Sequence, residues 1–206
     1  MGALVLVLKA IKDFATFIPG INPTRAEKQF GTQVLNYYDQ QSFEADYKHV
    51  DVIGENELKF SSLNNAALNA GDLIISNALR LAAMVGENNA GKVLSLNFTK
   101  IVLDSVHLDQ RYFLFLFNEF KDVSRQKDRG SQGTGLVQRI PLRALGEILI
   151  PVIPLAEQKK IGAIYTERLK LQNNLNKYSA LIEQFTSSII TENLKGAMTN
   201  EKPNEK

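Results

Sequence analysis

The chain of 206 residues is poor in groups that make and break bonds: it has two histidines, His49 and His107, and no cysteine. Disulfides, thiolate zinc sites and cysteine nucleophiles are therefore excluded. The histidines stand far apart in unlike contexts, so a shared metal or catalytic role is not expected. There is no Gly-x-Ser-x-Gly elbow, no His-Glu-x-x-His pair and no phosphate-binding loop ending in Lys-Ser or Lys-Thr. The stretch GSQGTG, Gly130 to Gly135, has the wrong spacings for a dinucleotide fingerprint, and no acidic residue follows at the distance of a ribose contact. Its neighbours suggest different chemistry. Lys121, Arg125, Lys127, Arg129, Arg139 and Arg143 surround it, opposed by Asp122 and Asp128. Glycines let a backbone approach a phosphate, arginines fork onto phosphate oxygens or guanine edges, and Ser131, Gln132 and Thr134 add neutral donors and acceptors. That combination suits non-covalent reading of nucleic acid; the alternative is a solvated surface loop.

Lys and Arg total 24 against 22 Asp and Glu, a net charge of only +2. Charge alone does not bind such a protein to nucleic acid, so the placement of a few basic residues must. The opening MGALVLVLKAIKDF has a six-residue apolar run, Ala3 to Leu8, with no positive charge before it and no cleavage site after it. No stretch approaches the ~18 apolar residues that span a bilayer. A soluble, cytoplasmic protein with no membrane partner is expected, its first residues forming a strand.

The elements that would hold these residues fall into two textures. At 44% hydrophobic residues the chain can build a core. IPGINPTR, Ile18 to Arg25, is turn punctuation. NAGDLIIS, Asn69 to Ser76, suggests a turn feeding a buried strand. VLSLNFT, Val93 to Thr99, alternates Leu94, Leu96 and Phe98 with polar residues, the period of a half-buried strand. LDQRYFLFLFNEF, Leu108 to Phe120, predicts a buried helix capped by Asp109. Lys121 to Arg143 is expected to be a basic, glycine-containing loop leading to a final strand that stops at Pro154. These pieces predict an α+β domain of short twisted strands and helices over residues 1–153.

Residues 155–195 contain one glycine, Gly162, and no proline. Counting sevens gives Ile161, Ile164, Arg168, Leu171, Leu175, Tyr178, Ile182, Phe185, Ile189 and Glu192, an apolar seam of coiled-coil spacing broken only by the Arg and the Glu. Glu157 suits the positive first turn of a helix, and Lys195 with Gly196 predicts its end. A helix over 154–195 would be a rod of roughly 60 Å, longer than the domain that carries it. Its seam needs a partner, and a second chain is favoured over its own domain. Residues 196–206 are expected to form a disordered tail.

The stretch RIPLRALGEILIPVIPLAEQKKIGAIYTERLKLQNNLNKYSALIEQF resembles the specificity subunit of type I restriction–modification enzymes. That family shows an apolar strand, a Pro-Leu-x-Glu-Gln-x-x-Ile signature and then a long helix; Pro154, Leu155, Glu157, Gln158 and Ile161 match the signature. GDLIIS, the LNF strand, the Gly-Ser loop and the early IPGINPTR follow the family's order, so the resemblance runs over about residues 8 to 195. It implies a non-catalytic subunit that recognises double-stranded DNA and recruits methyltransferase subunits, which modify adenine with S-adenosylmethionine. A restriction subunit using ATP and Mg joins these for cleavage. No cofactor is implied for this chain.

Full-length members carry two recognition domains and two antiparallel helices; here there is one of each, so a half-subunit and a fragment both stay open. A half-subunit would pair with a second copy through Ile161, Ile164, Leu171, Leu175, Tyr178, Ile182, Phe185 and Ile189, and read a bipartite palindrome. Ile153 departs from the family, where many members carry proline. Expected DNA contacts are Asn22, Thr24 and Arg25 in the early turn, Asn77 and Arg80 after GDLIIS, and Arg125, Lys127, Arg129, Ser131, Gln132, Thr134 and Arg139 in the basic stretch. The alternative is a coiled-coil scaffold protein without specific DNA readout.

Overall fold

In a computed structural model, residues 7–22, 36–48, 67–132 and 139–200 are described, with side chains to residue 196. The motif GDLIIS sits at the centre. Strand β4 (Leu73–Ser76) is buried along its whole length because both of its faces are covered. Alternate side chains point to opposite faces of a strand. Leu73 and Ile75 therefore enter one core with the long helices, and Ile74 enters a second with Tyr38, Phe43, Leu94 and Phe98. The continuous apolar run follows from this two-sided burial.

Strand β4 lies in a four-stranded antiparallel sheet of order β2 (Ala15–Pro19), β7 (Phe98–Leu103), β4 and β5 (Leu81–Met84). Strand β1 (Val7–Ala10) pairs antiparallel with β8 (Leu149–Val152), and β3 (Tyr37–Tyr38) pairs parallel with β6 (Val93–Leu94). On one face, helix α1 (Gln40–Lys48) is held by a buried carboxylate. Asp46 accepts hydrogen bonds from the Tyr38 hydroxyl at 2.8 Å, Asn89 Nδ2 at 2.7 Å and Gly86 N at 3.1 Å. Burial and the adjacent Asp46 charge raise the Tyr38 pKa, keeping its proton on the bond.

On the other face lies α2 (Gln110–Glu119), apolar nearly all round because it sits between the sheet and the last helix. Asp109 caps it as expected, accepting from Arg111 N at 3.0 Å and Tyr112 N at 2.9 Å. Its Asn118 side chain imitates a strand at the edge of β5, accepting from Ala82 N at 2.8 Å and donating to Ala82 O at 2.9 Å. The same amide donates to the Tyr165 hydroxyl at 3.2 Å, joining sheet edge and last helix. The expected mixed α+β architecture is observed.

Four expectations are corrected. Lys121 to Arg143 is not one loop, since α3 (Lys121–Gly130) and α4 (Leu142–Glu147) are helical. Half of the α3 sequence is Lys, Arg or Gln, all good helix formers, with Asp122 in its first turn and Lys127 and Arg129 in its last, where they suit the dipole. The strand expected over Val93 to Thr99 is broken: β6 ends at Leu94, a turn turns Leu96 out to solvent, and β7 resumes at Phe98. The last helix, α5 (Leu155–Asn200), runs past Gly196, so residues 196–200 are helical and Gly196 is no terminator. Finally, Ile161 packs on its own domain's core. Of the strand expected over the first residues, β1 (Val7–Ala10) is seen, and Met1 to Leu6 lie outside the described residues, as do His49 and residues 201–206.

Candidate nucleic-acid interface

The strand registers bring several segments to one end of the sheet. Pro19 pairs with Thr99, and Ser76 pairs with both Phe98 and Leu81. The segment Gly20–Asn22, the turn 77–80 and the turn 95–97 therefore share one rim. Gly20 makes this possible: a Cβ there would lie 1.9 Å from Ser95 O, well inside contact distance. Close approach lets Gly20 N donate to Phe98 O at 3.0 Å and Ile21 N to Leu94 O at 2.9 Å.

Side chains then tie the rim together. Asn77 N donates to Asn97 O at 3.0 Å, and Asn77 Oδ1 accepts from Thr99 Oγ1 at 3.0 Å. Asn97 Oδ1 accepts from Arg139 Nη2 at 3.0 Å. Gln132 and Arg139 exchange backbone hydrogen bonds of 2.8 and 2.9 Å, closing the base of the glycine-containing segment. Arg80 bonds Asp128 at 2.8 Å and reaches Ser131 Oγ at 3.5 Å. Two apolar side chains, Leu79 and Leu96, stand exposed on the same rim.

The rim thus gathers Asn22, Asn77, Arg80, Ser131, Gln132 and Arg139 from segments far apart in sequence. Thr24, Arg25 and Thr134 lie outside the described residues. Arg129 is exposed near the rim end of α3. Arg125 is exposed but pairs at 3.0 Å with Asp122 toward the other end of that helix. Lys127 corrects the expectation of an exposed basic loop residue. It is 5% exposed, and its ammonium donates to Phe117 O and Arg80 O. Burial lowers its pKa to about 8, with the Arg80 charge a second cause. Sequence reasoning also missed Asn97 and Asp128. Asn97 looked like the wet side of a strand, and Asp128 like a stray opposing charge.

The second surface is α5. Its first turns lie against α2, where Gly162 fits so closely that a Cβ would come within 2.7 Å of Arg111 Cβ and 2.8 Å of Tyr112 N. Gln158 is 1% exposed there. Its amide accepts from Asp109 N at 2.9 Å and donates to His107 O at 2.9 Å and Ile153 O at 2.8 Å. Arg168 pairs with Glu119 and lies over the Tyr165 ring. Ile164 faces solvent within these turns; beyond them the helix leaves the domain, and Leu171, Leu175, Tyr178, Ile182, Phe185 and Ile189 are all exposed, Phe185 by 68%. Leu181, Ile190 and Leu194 are exposed as well, so the distal apolar surface is broader than the expected seam.

Elsewhere, His107 Nδ1 lies 2.6 Å from Asp104 Oδ2 on the surface, and that hydrogen bond holds the Asp104 carboxyl below its usual range. Among the described residues no group of three or more His, Asp or Glu is arranged to hold a metal ion. No described helix is long and apolar enough to cross a membrane.

No protein-family model and no curated protein matches the chain. Solved structures do. The type I restriction–modification S subunit from M. genitalium superposes with a TM-score of 0.54 at 14% identity, covering 86% of this chain and 43% of that one. The HsdS subunit from Thermoanaerobacter tengcongensis gives 0.52 at 17% identity, with 84% and 39% covered. A structure describing complex assembly and conformational transition of the type I R-M system gives 0.54 at 16% identity, with 95% and 45% covered. The chain therefore has the S-subunit fold expected from its signature, and it spans less than half the length of these structures.

Proposed function

We propose that this chain is a sequence-specific DNA-recognition subunit, or one recognition half of such a subunit, of a type I restriction–modification system. The observation that carries the reading is the joining of two unlike surfaces on one S-subunit fold. One is a rim of arginine, asparagine, serine and glutamine; the other is a projecting helix with an uncovered apolar seam. Arg80, Arg129 and Arg139 supply phosphate or guanine contacts, and Asn77, Asn97, Ser131 and Gln132 supply the two-way hydrogen bonding that base edges require. The net charge of +2 fits recognition by placement rather than by bulk attraction.

In this reading the distal half of α5 pairs with a second copy of the chain and sets the spacing between two rims, giving a bipartite site. The pair recruits methyltransferase subunits, and a restriction subunit joins for cleavage. The chain itself performs no catalysis. Selection from a randomised duplex pool tests this. Enrichment of a two-part motif by the purified chain, with its methyltransferase partner where needed, is the expected result. No enrichment, combined with strictly monomeric behaviour in solution, overturns it in favour of a scaffold role.

A further inference from the structure

We infer that Lys127 is a positioning residue for the recognition rim, its buried ammonium holding the β4–β5 turn in the conformation that sets Arg80 beside Ser131; this rests on the DNA-recognition reading. A buried ammonium is costly unless it is fully bonded, and a methionine would fill the same space without that cost. Lys127 must therefore be judged by what its ammonium holds. One partner is Phe117 O near the end of α2, with the Phe117 ring face 4.5 Å from the charge. The other is Arg80 O at 2.8 Å, on the rim.

Arg80 has φ of 58°, the one positive φ at a non-glycine position among the described residues. A side chain in the left-handed region is strained and persists only when its surroundings fix it. Two contacts do so here: Arg80 N donates to Ser76 O at 2.8 Å, and Arg80 O accepts from Lys127. The same lysine serves the neighbouring segment, because its backbone carbonyl accepts from Ser131 Oγ at 2.7 Å. Arg80 in turn bonds Asp128, the residue after Lys127. One buried residue thus fixes both the turn that carries Arg80 and the helix end that carries Ser131. Asp128 occupies the guanidinium until a phosphate or base edge replaces it.

The experiment uses the full chain, its Lys127→Met and Arg80→Ala variants and the double variant, on the duplex enriched by selection and on a scrambled duplex across a salt series. Lys127→Met should weaken selective binding by roughly tenfold, lower the salt slope by no more than Arg80→Ala does, and add little to either quantity in the Arg80→Ala background. Arg80→Ala should lower the slope by about one. A slope lowered by a further unit when Lys127→Met is added to Arg80→Ala, or effects on binding that simply add, overturns the inference, because the ammonium would then be acting on DNA directly. Lys127→Gln, which keeps a donor without the charge, should fall between wild type and Lys127→Met, and guards against a methionine variant that fails to fold. Amide exchange at residues 77–81 in the free protein tests the clamp without DNA. Faster exchange in the variants supports it, and unchanged exchange overturns it. A wild-type chain that enriches no duplex defeats the DNA reading, while the exchange measurement still decides the clamp.

Discussion

The rim and the distal half of α5 are both open to water, but they are built in opposite ways. At the rim several polar side chains are fixed by partners from other segments: Arg139 by Asn97, Arg80 by Asp128, Asn77 by Thr99. Along the rod the exposed groups include a broad set of large apolar side chains, and the polar contacts are local, such as Ser188 Oγ to Gln184 O and Thr191 Oγ1 to Ser187 O. A preorganised polar surface favours selective contact with little reorganisation, whereas an apolar stripe gains free energy from being covered. Changes at the rim should therefore disturb folding and selectivity together, and changes on the rod should disturb assembly alone.

The sharpest break of that contrast is Gly20→Ala. A methyl 1.9 Å from Ser95 O forces the crossing segments apart, and a loss on the order of 3–5 kcal/mol is expected. Urea denaturation should show a lower midpoint, and a midpoint equal to wild type would mean the segments can separate freely. Next is Gln158→Leu, which strips partners from Asp109 N, His107 O and Ile153 O. A cost of about 2–4 kcal/mol is expected from unsatisfied buried groups, with proteolysis becoming easier near the strand–helix junction.

On the rod, Leu175→Glu combined with Ile182→Glu should abolish the proposed self-association, measured by sedimentation, while domain stability changes by less than about 0.5 kcal/mol. Loss of the folded domain as well would erase the contrast.

The smallest effect is a pH dependence. Lys127 is lowered to about 8 by burial, below its ordinary 10.5. Between those values the unfolded chain holds a proton that the folded chain has released, so this group makes stability rise with pH from about 8 upward. Burial also pushes the Tyr112 and Tyr165 hydroxyls up to about 12, which opposes the rise only as the unfolded tyrosines ionise near 10. Urea midpoints at pH 8 and 9.5 should show the rise in wild type and lose it in Lys127→Met.

Where one element carried its own pattern, the sequence was a good guide. The Asp109 cap, the two-sided strand Leu73–Ser76 and the proline stop before α5 all came through, because local preference and burial agreed there. The signature around Gln158 pointed correctly to the S-subunit fold, yet it did not explain why a glutamine stood at that place. Only the folded chain places His107, Asp109 and Ile153 around that amide. Helix α3 was missed for a related reason. Its buried stripe consists of Val123 and a lysine, and a buried lysine carries no apolar signal. The rim was legible as a set of polar segments, but Asn97 and Asp128 enter it through tertiary pairing alone.

Gly162 and Gln158 also act as the root of a lever. Some 30 residues of α5 extend past the contact with α2, about 45 Å at 1.5 Å per residue. A tilt of about 5° at the root would swing the far end by about 4 Å, and successive base pairs are only 3.4 Å apart along the helix axis. In the proposed assembly, a methyl group added at Gly162 would change which number of intervening base pairs fits between two recognised half-sites, without touching a residue that meets DNA.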